Sequence, residues 1–250
     1  MKIEWHFQGV ASSEVIDNHI AHAHALNLPQ PQGTGAKRLA VVGGGPSVVG
    51  QMEEIKAFDG DIWILGSAYP WATENGIKGT YFNIDPSEDC SRECIGAPKA
   101  ILGSSVHPET IKALNGADIA VFDLIENGER LNHGVTTATA VPELAIICGY
   151  TEIVFYGCES SFNEQFHVGK NLDTDRWLYV KSDGQTFKTR PDYFAQAEFL
   201  ATIIRAFPQH FKERSGGFLR AMVNTFEWDF THATRALYQS LNLGDSNGTN

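Results

Sequence analysis

Residues 39–47, Leu39-Ala40-Val41-Val42-Gly43-Gly44-Gly45-Pro46-Ser47, decide how the rest of the chain is read. An apolar run without alternation predicts a strand buried on both faces, as in a parallel sheet. The glycines that follow permit a sharp turn and a close backbone approach. Pro46 and Ser47 suit the first turn of a helix continuing through Gln51, Met52 and Ile55. Unpaired N–H groups at such a helix start favour an anion, so Gly43, Gly44, Gly45, Pro46 and Ser47 are candidate contacts for a phosphorylated ligand. The same turn can also join a strand to a helix with no ligand at all.

The loop departs from the familiar fingerprints in informative ways. It lacks the Lys-Ser/Thr ending of a Walker A loop. Read as G-x-G-x-x-G, it supplies Gly43 and Gly45, but Val48 stands where the third glycine belongs. Asp61 begins the next apolar run, and no acidic residue ends it where a dinucleotide ribose is usually held. A classical NAD site is therefore not expected, and another nucleotide or phosphorylated ligand is the expectation for this loop.

Composition sets the outer bounds. The 250 residues suffice for one large α/β domain, and a hydrophobic content of 42% supports an ordinary core. A formal net charge of −11 argues against nonspecific binding to nucleic acid or an acidic membrane surface. No apolar run is long enough to span a bilayer and the first residues do not form a signal peptide, so a soluble cytoplasmic protein is expected. The four cysteines do not form a disulfide pattern; Cys148 and Cys158 fall in apolar segments, and Cys90 and Cys94 can share a helix face.

Strand and helix patterns alternate from residue 37 onward. Strands are predicted at 39–43, 61–66, 80–84, 99–102, 118–122 and 152–157, with helices near 47–57, 68–76, 107–115 and 136–149. The alternation predicts a Rossmann-like, doubly wound, mostly parallel sheet with an irregular cap and C-terminal helices. Three segments follow: an N-terminal helical extension and linker (1–36), the nucleotide-binding domain (37–210), and a C-terminal helix with a polar tail (211–250). Within them, 1–12 reads as a short strand, 14–27, 191–207 and 216–241 as helices, and Ser182-Asp183-Gly184-Gln185 as a hairpin turn.

In such sheets ligands sit beyond the carboxyl ends of the strands, which selects the remaining candidates. Ser67 follows the second strand, and Asn83 and Asp85 end the third. Asp85 can hold a phosphate-bound Mg²⁺ or cap the following helix with Pro86 at its first position, and Asp123 offers a second carboxylate or a capping or turn role. Thr136, Thr137 and Thr139 place hydroxyls at another helix start, for a ligand or for capping alone. Gly157 and Glu159 end the sixth strand; Glu159 can bind a ribose hydroxyl or act as a base. His167 is a candidate proton acceptor in the cap, or an incidental loop histidine, and Arg190 a candidate phosphate clamp or a solvated surface residue.

Several blocks together resemble a known family. Val42-Gly-Gly-Gly-Pro-Ser47, Glu74-Asn-Gly-Ile-Lys-Gly-Thr-Tyr-Phe-Asn-Ile-Asp-Pro86, Gly134-Val-Thr-Thr-Ala-Thr-Ala140 and Ala145-Ile-Ile-Cys-Gly-Tyr-Thr-Glu-Ile-Val-Phe-Tyr-Gly-Cys-Glu159 look like signature blocks of MptE-like proteins. That family includes 6-hydroxymethylpterin diphosphokinases and the domain shared with Maf-type flagellin glycosyltransferases. The loops are also similar to those of bacterial sialyltransferases that use CMP-activated sialic acid. Gly157-Cys-Glu159 departs from their Gly-Ile-Asp, and Thr189-Arg190 stands near where they keep a catalytic histidine.

The first resemblance implies ATP and Mg²⁺, with phosphates on Gly43 to Ser47, metal on Asp85 and Asp123, and diphosphate passed to a hydroxymethylpterin-like alcohol. The other implies a nucleotide-activated sugar as donor and a small-molecule acceptor. A noncatalytic nucleotide-binding module is the third reading. Fold likeness alone does not choose among them.

Overall fold

Side-chain alternation along β1 (Arg38–Val42) divides the protein into two cores, one on each face of a sheet. Leu39 and Val41 pack on one side, Ala40 and Val42 on the other, and all four are fully buried. A strand covered on both faces needs the continuous apolar run that the sequence supplies. The computed structural model describes residues 11–123, 125–126, 129–130, 136–162, 167–168 and 177–225.

The main strands in chain order are β1, β2 (Asp61–Leu65), β3 (Thr80–Asn83), β4 (Lys99–Gly103), β5 (Asp118–Phe122), β8 (Glu152–Tyr156) and β11 (Phe211–Glu213). Two small antiparallel ladders stand apart: β6 (Ile125–Glu126) with β7 (Glu129–Arg130), and β9 (Leu178–Ser182) with β10 (Gln185–Thr189). The sheet order is β11-β8-β1-β2-β3-β4-β5, and every neighbouring pair is parallel. This is the α/β, Rossmann-like, doubly wound arrangement expected from the alternation of patterns.

Helices α2 (Met52–Lys56), α3 (Ala68–Glu74), α4 (Cys90–Glu93) and α5 (Pro108–Ala113) follow the first four strands. Ile55, Ala68, Ala72, Cys94 and Ile111 join Ala40, Val42, Ile64 and Tyr81 in one core. After β5 the chain returns past β1. There α6 (Val141–Ile147), α7 (Pro191–Ala206) and α8 (Gly217–Thr225) build the other core with Leu39, Val41, Trp63 and Phe82. Phe82 stacks on Trp63 at 5.2 Å and on Phe122 at 5.8 Å, so one aromatic row ties β2, β3 and β5.

Two segment boundaries differ from expectation. The sheet continues past residue 210, because β11 pairs in parallel with β8 through Phe211↔Ile153. Only Phe211 of this three-residue strand is deeply buried, so the sequence carries no run to announce it. The N-terminal extension is part of the same packed body. Helix α1 (Ser13–Ala25) buries Ala23 beneath the sheet core, His19 Nδ1 meets the Ser105 carbonyl at 3.1 Å, and Val121 N–H donates to the Pro29 carbonyl at 2.8 Å. Most of the strand expected in 1–12, the Gly134-Val135 start of the threonine loop and the latter part of the helix expected over 216–241 lie outside the described residues.

Replacing Phe82 with Ala removes the centre of the aromatic row. The expected cost is about 3–5 kcal/mol of unfolding free energy, read by urea denaturation. A loss well under 1 kcal/mol would contradict this packing.

Candidate functional site

Strands β1 and β8 are neighbours, yet the helices that follow them lie on opposite faces. A crevice therefore opens between their carboxyl ends, where two backbone turns meet. Gly43 N–H donates to the Tyr156 carbonyl at 2.8 Å, and Gly45 N–H donates to the Gly157 carbonyl at 2.8 Å. A Cβ on Gly43 would stand 2.5 Å from the Gly157 carbonyl oxygen, and one on Gly157 as close to the Gly43 oxygen. Gly157 also holds φ at +63°, which a residue with a side chain adopts at a cost. Both glycines are thus explained by backbone-to-backbone packing.

Glu159, only 4% exposed, reaches from the end of β8 to the start of the helical turn Pro46–Gln51. Its carboxylate accepts the Ser47 N–H at 2.7 Å and the Ser47 hydroxyl at 3.1 Å. The amide expected to wait for a ligand phosphate is therefore already satisfied by a protein anion. Gly45 makes room for that carboxylate, since a Cβ there would lie 2.0 Å from Glu159 Oε2. Burial pushes the Glu159 carboxyl above its ordinary range, while the Ser47 hydrogen bonds pull the other way. Through these bonds Glu159 positions the loop.

His167 lies across Gly44, where a Cβ would fall 2.0 Å from its ring, and Val168 N–H donates to the Gly44 carbonyl at 2.9 Å. His167 Nε2 stands 3.5 Å from Ser67 Oγ, so the cap bridges the ends of β1 and β2. Three of the expected residues, Gly44, Ser67 and His167, thus share one part of the rim.

A second group gathers at the end of β3. Asn83 Oδ1 accepts the Asp85 N–H at 3.1 Å and the Thr137 hydroxyl at 3.3 Å. Asn83 is 1% exposed, and among the described residues its Nδ2 meets no partner at full hydrogen-bond geometry. Asp85 Oδ1 accepts the Ser87 N–H at 2.9 Å and so closes a turn at Pro86; the helix it was expected to cap starts only at Cys90, where Asp89 takes the N-cap position. Its charge also reaches Tyr193 on α7, whose hydroxyl is pushed up to about 12, first by burial and then by neighbouring carboxylates.

Other expected contacts make hydrogen bonds within the fold. Thr139, 1% exposed, donates to the Thr136 carbonyl at 2.7 Å and accepts the Thr136 N–H at 3.1 Å, closing a capping box. Thr136 donates to Gln196 Oε1 at 2.7 Å, and Gln196 Nε2 donates to Ser160 Oγ at 2.9 Å, which ties α7 to the turn after β8. Thr189 is buried and donates to the Ser160 carbonyl at 2.6 Å. Arg190 is held by Asp192 through bonds of 3.1 and 2.8 Å, so its charge is already matched inside the protein.

Asp123 pairs with His24 of α1 at 2.8 Å, and β4 separates its strand from that of Asp85. The two backbones therefore stand about 10 Å apart, since neighbouring strands are spaced by roughly 4.8 Å. Among the described residues no three His, Cys, Asp or Glu side chains gather as a metal site. The expected pairing of Asp85 with Asp123 on one Mg²⁺ does not fit this arrangement, and no step is routed through a metal.

One acidic group was not legible in the sequence. Glu93, at the end of α4, brings Oε2 to 3.7 Å from the position a Cβ would occupy on Gly66, beside Asn83. Its segment, Cys90-Ser-Arg-Glu-Cys94, gives no sign that a helix returns to the end of β2.

No family model matches the chain, and no curated protein matches it by sequence. Among solved structures it is similar to a Maf glycosyltransferase from Magnetospirillum magneticum AMB-1, with a TM-score of 0.59 and 15% identity over 91% of this chain. The match spans 42% of that protein, so this chain corresponds to less than half of its length. At this identity the likeness supports the fold. Among the described residues no helix is long and apolar enough to cross a membrane.

Removing the Glu159 carboxylate tests its role through linkage. A carboxyl held above its ordinary 4.5 binds its proton more tightly in the native state than in the unfolded chain. The stability it contributes is therefore full below about pH 4.5 and is lost as pH rises through the native value. Urea denaturation of the wild type and of Glu159→Gln from pH 4 to pH 7 should shift the stability gap against the wild type as pH rises. A gap that stays constant over that range contradicts the assignment.

Proposed function

We propose that the protein is a nucleotide-dependent transferase whose donor is a nucleotide-activated sugar. The observation that carries this reading is the convergence of polar and glycine-bearing turns from β1, β2, β3 and β8 on one rim at the switch point. The fold likeness to a protein described as a Maf glycosyltransferase supports it.

Diphosphate transfer from ATP is the competing reading. ATP brings several negative charges that usually share a Mg²⁺ with one or two carboxylates. The rim instead offers a glycine loop already holding Glu159, an Arg190 matched by Asp192, and an Asp123 paired with His24. A donor with fewer phosphates suits these surroundings better. Ser67, Asn83 and Thr137 would contact it through hydroxyl and amide groups.

In this reading the acceptor hydroxyl attacks the anomeric carbon of the donor sugar. The bond from that carbon to the phosphate oxygen breaks, the nucleotide leaves with the bonding electrons, and the acceptor proton passes to His167. His167 suits this role because it lies at the rim between Gly44 and Ser67 and is not sealed in the core. Asp85 and Tyr193 line the next part of the rim and can orient the acceptor.

A thermal-shift panel with CMP, CMP-sialic acid, UDP-sugars, ATP with Mg²⁺, and NAD separates the readings. Stabilisation by a nucleotide sugar and its nucleotide product is expected. A shift with ATP and Mg²⁺ alone, followed by AMP release on adding a hydroxymethylpterin, would favour diphosphate transfer, and no shift with any of them overturns both. Once a donor is found, His167→Ala should cut turnover by about 10²–10⁴-fold while keeping the nucleotide-induced shift. Unchanged turnover would remove His167 from the mechanism.

A further inference from the structure

Strands β9 and β10 form a regular hairpin closed by two residues. Asp183 and Gly184 hold φ of +50° and +71°, the left-handed pair of a type I′ turn, and Ser182 faces Gln185 across it. Residues flanking such a turn exchange both backbone hydrogen bonds, and the pattern then alternates along the ladder. Ser182, Val180 and Leu178 therefore bond to β10, while Lys181 and Tyr179 direct their N–H and C=O groups away from it. The opposite strand shows the same alternation. Lys188, facing Tyr179, turns its carbonyl outward and accepts the Phe162 N–H at 2.8 Å. The outer edge of β10 is thus closed at Lys188, and that of β9 is open. Among the described residues neither Tyr179 nor Lys181 makes a backbone hydrogen bond to another element.

This open edge is held as a firm template. On the inner face Val180 and Phe187 pack on the core, with Phe187 5.5 Å from Phe218 of α8. On the outer face Tyr179 is 70% exposed, and Lys181 is exposed with no ion pair among the described residues. Stable proteins guard an open edge with proline, a bulge or several charges. Residues 178–182 hold no proline and no bulge, and Lys181 is their one charge.

The chemistry of the edge selects its partner. Main-chain donors and acceptors spaced along a strand are matched by another extended backbone, which a sugar or a nucleotide does not supply. In an added strand the side chains opposite Tyr179 and Lys181 lie two residues apart on the outer face. An exposed aromatic ring favours an apolar side chain there, and an unpaired ammonium favours a carboxylate. A second copy of β9 would set Tyr179 against Lys181 across a two-fold axis. A five-residue strand buries too little area for a stable dimer, however, and two bodies of net charge −11 repel. We propose that the open edge of β9 docks an extended polypeptide segment of a partner protein, with a carboxylate opposite Lys181 and an apolar side chain two residues away against Tyr179. Neither residue belongs to the rim described above, so this docking does not depend on the nucleotide.

Titration of the isotope-labelled intact chain with the peptide acetyl-Thr-Val-Thr-Glu-Thr-Val-Thr-amide, followed by amide NMR, tests the edge. Its valines flank the glutamate, so it fits in either strand direction. Saturable shifts and slowed hydrogen exchange are expected at the Tyr179 and Lys181 amides. Replacing the glutamate with lysine should weaken binding about fivefold, and Lys181→Glu should reverse that preference. N-methylation of the glutamate and valines, which removes the main-chain donors, should abolish binding. Slow exchange of both amides in the free chain would show the edge to be covered and overturn the proposal. So would equal or tighter binding of the lysine peptide, or no saturable shift from either peptide at about 5 mM. Shifts at the same amides that grow with protein concentration alone would assign the edge to a second copy and overturn it as well.

Discussion

The buried contact between the Glu159 carboxylate and Ser47 carries the pairing of β1 with β8 on into the turns beyond both strands. Strands β1 and β8 send their chains to opposite faces, so nothing in the topology closes the gap between their turns. Gly43, Gly45 and Gly157 let the backbones touch, and Glu159 then satisfies the first amide of the turn after β1. The cost is visible next door. Ser160 holds a left-handed φ of +56°, and Gly217 must lack a Cβ because Glu159 Cβ would lie 2.6 Å from it. Leu219 N–H donates to the Glu159 carbonyl at 2.9 Å, so α8 is anchored to the same residue.

With that junction closed, the rim divides by chemistry. Toward β1 and β2 stand Gly44, Ser67 and His167; toward β3 stand Asn83, Thr137, Asp85 and Glu93. The rim is rich in carboxylates, in keeping with the chain's net charge of −11. In the proposed reading a ligand would be gripped more by hydroxyls, amides and backbone groups than by free cations, which favours a sugar nucleotide over a bare polyphosphate.

The strands were legible because a parallel sheet covered on both faces demands short apolar runs, and the segments 38–42, 61–65, 80–83, 99–103, 118–122 and 152–156 are apolar apart from their ends. The position of the rim followed from the same pattern, since the glycine turns fall at strand ends. Individual roles were less legible. Glycines at 43 to 45 read first as a phosphate cradle, and their close packing became visible only through the position of Glu159, more than 100 residues on. The placement of Glu93 beside Gly66 was invisible for a similar reason, since it depends on where α4 folds back. Asp123 looked equivalent to Asp85 because both end strands, but β5 is an edge strand, and its last carboxylate turns to α1.

The central claim is that a nucleotide occupies this rim between β8, β1, β2 and β3. Amide-resolved NMR of the isotope-labelled chain during titration with CMP or UMP tests it most directly. The account predicts saturable shifts concentrated at Gly44, Gly66, Ser67, Asn83 and Thr137, with Phe211 and the amides of α1 little changed. Shifts centred at the amino-terminal edge of the sheet, near Arg38 and Glu152, would contradict it.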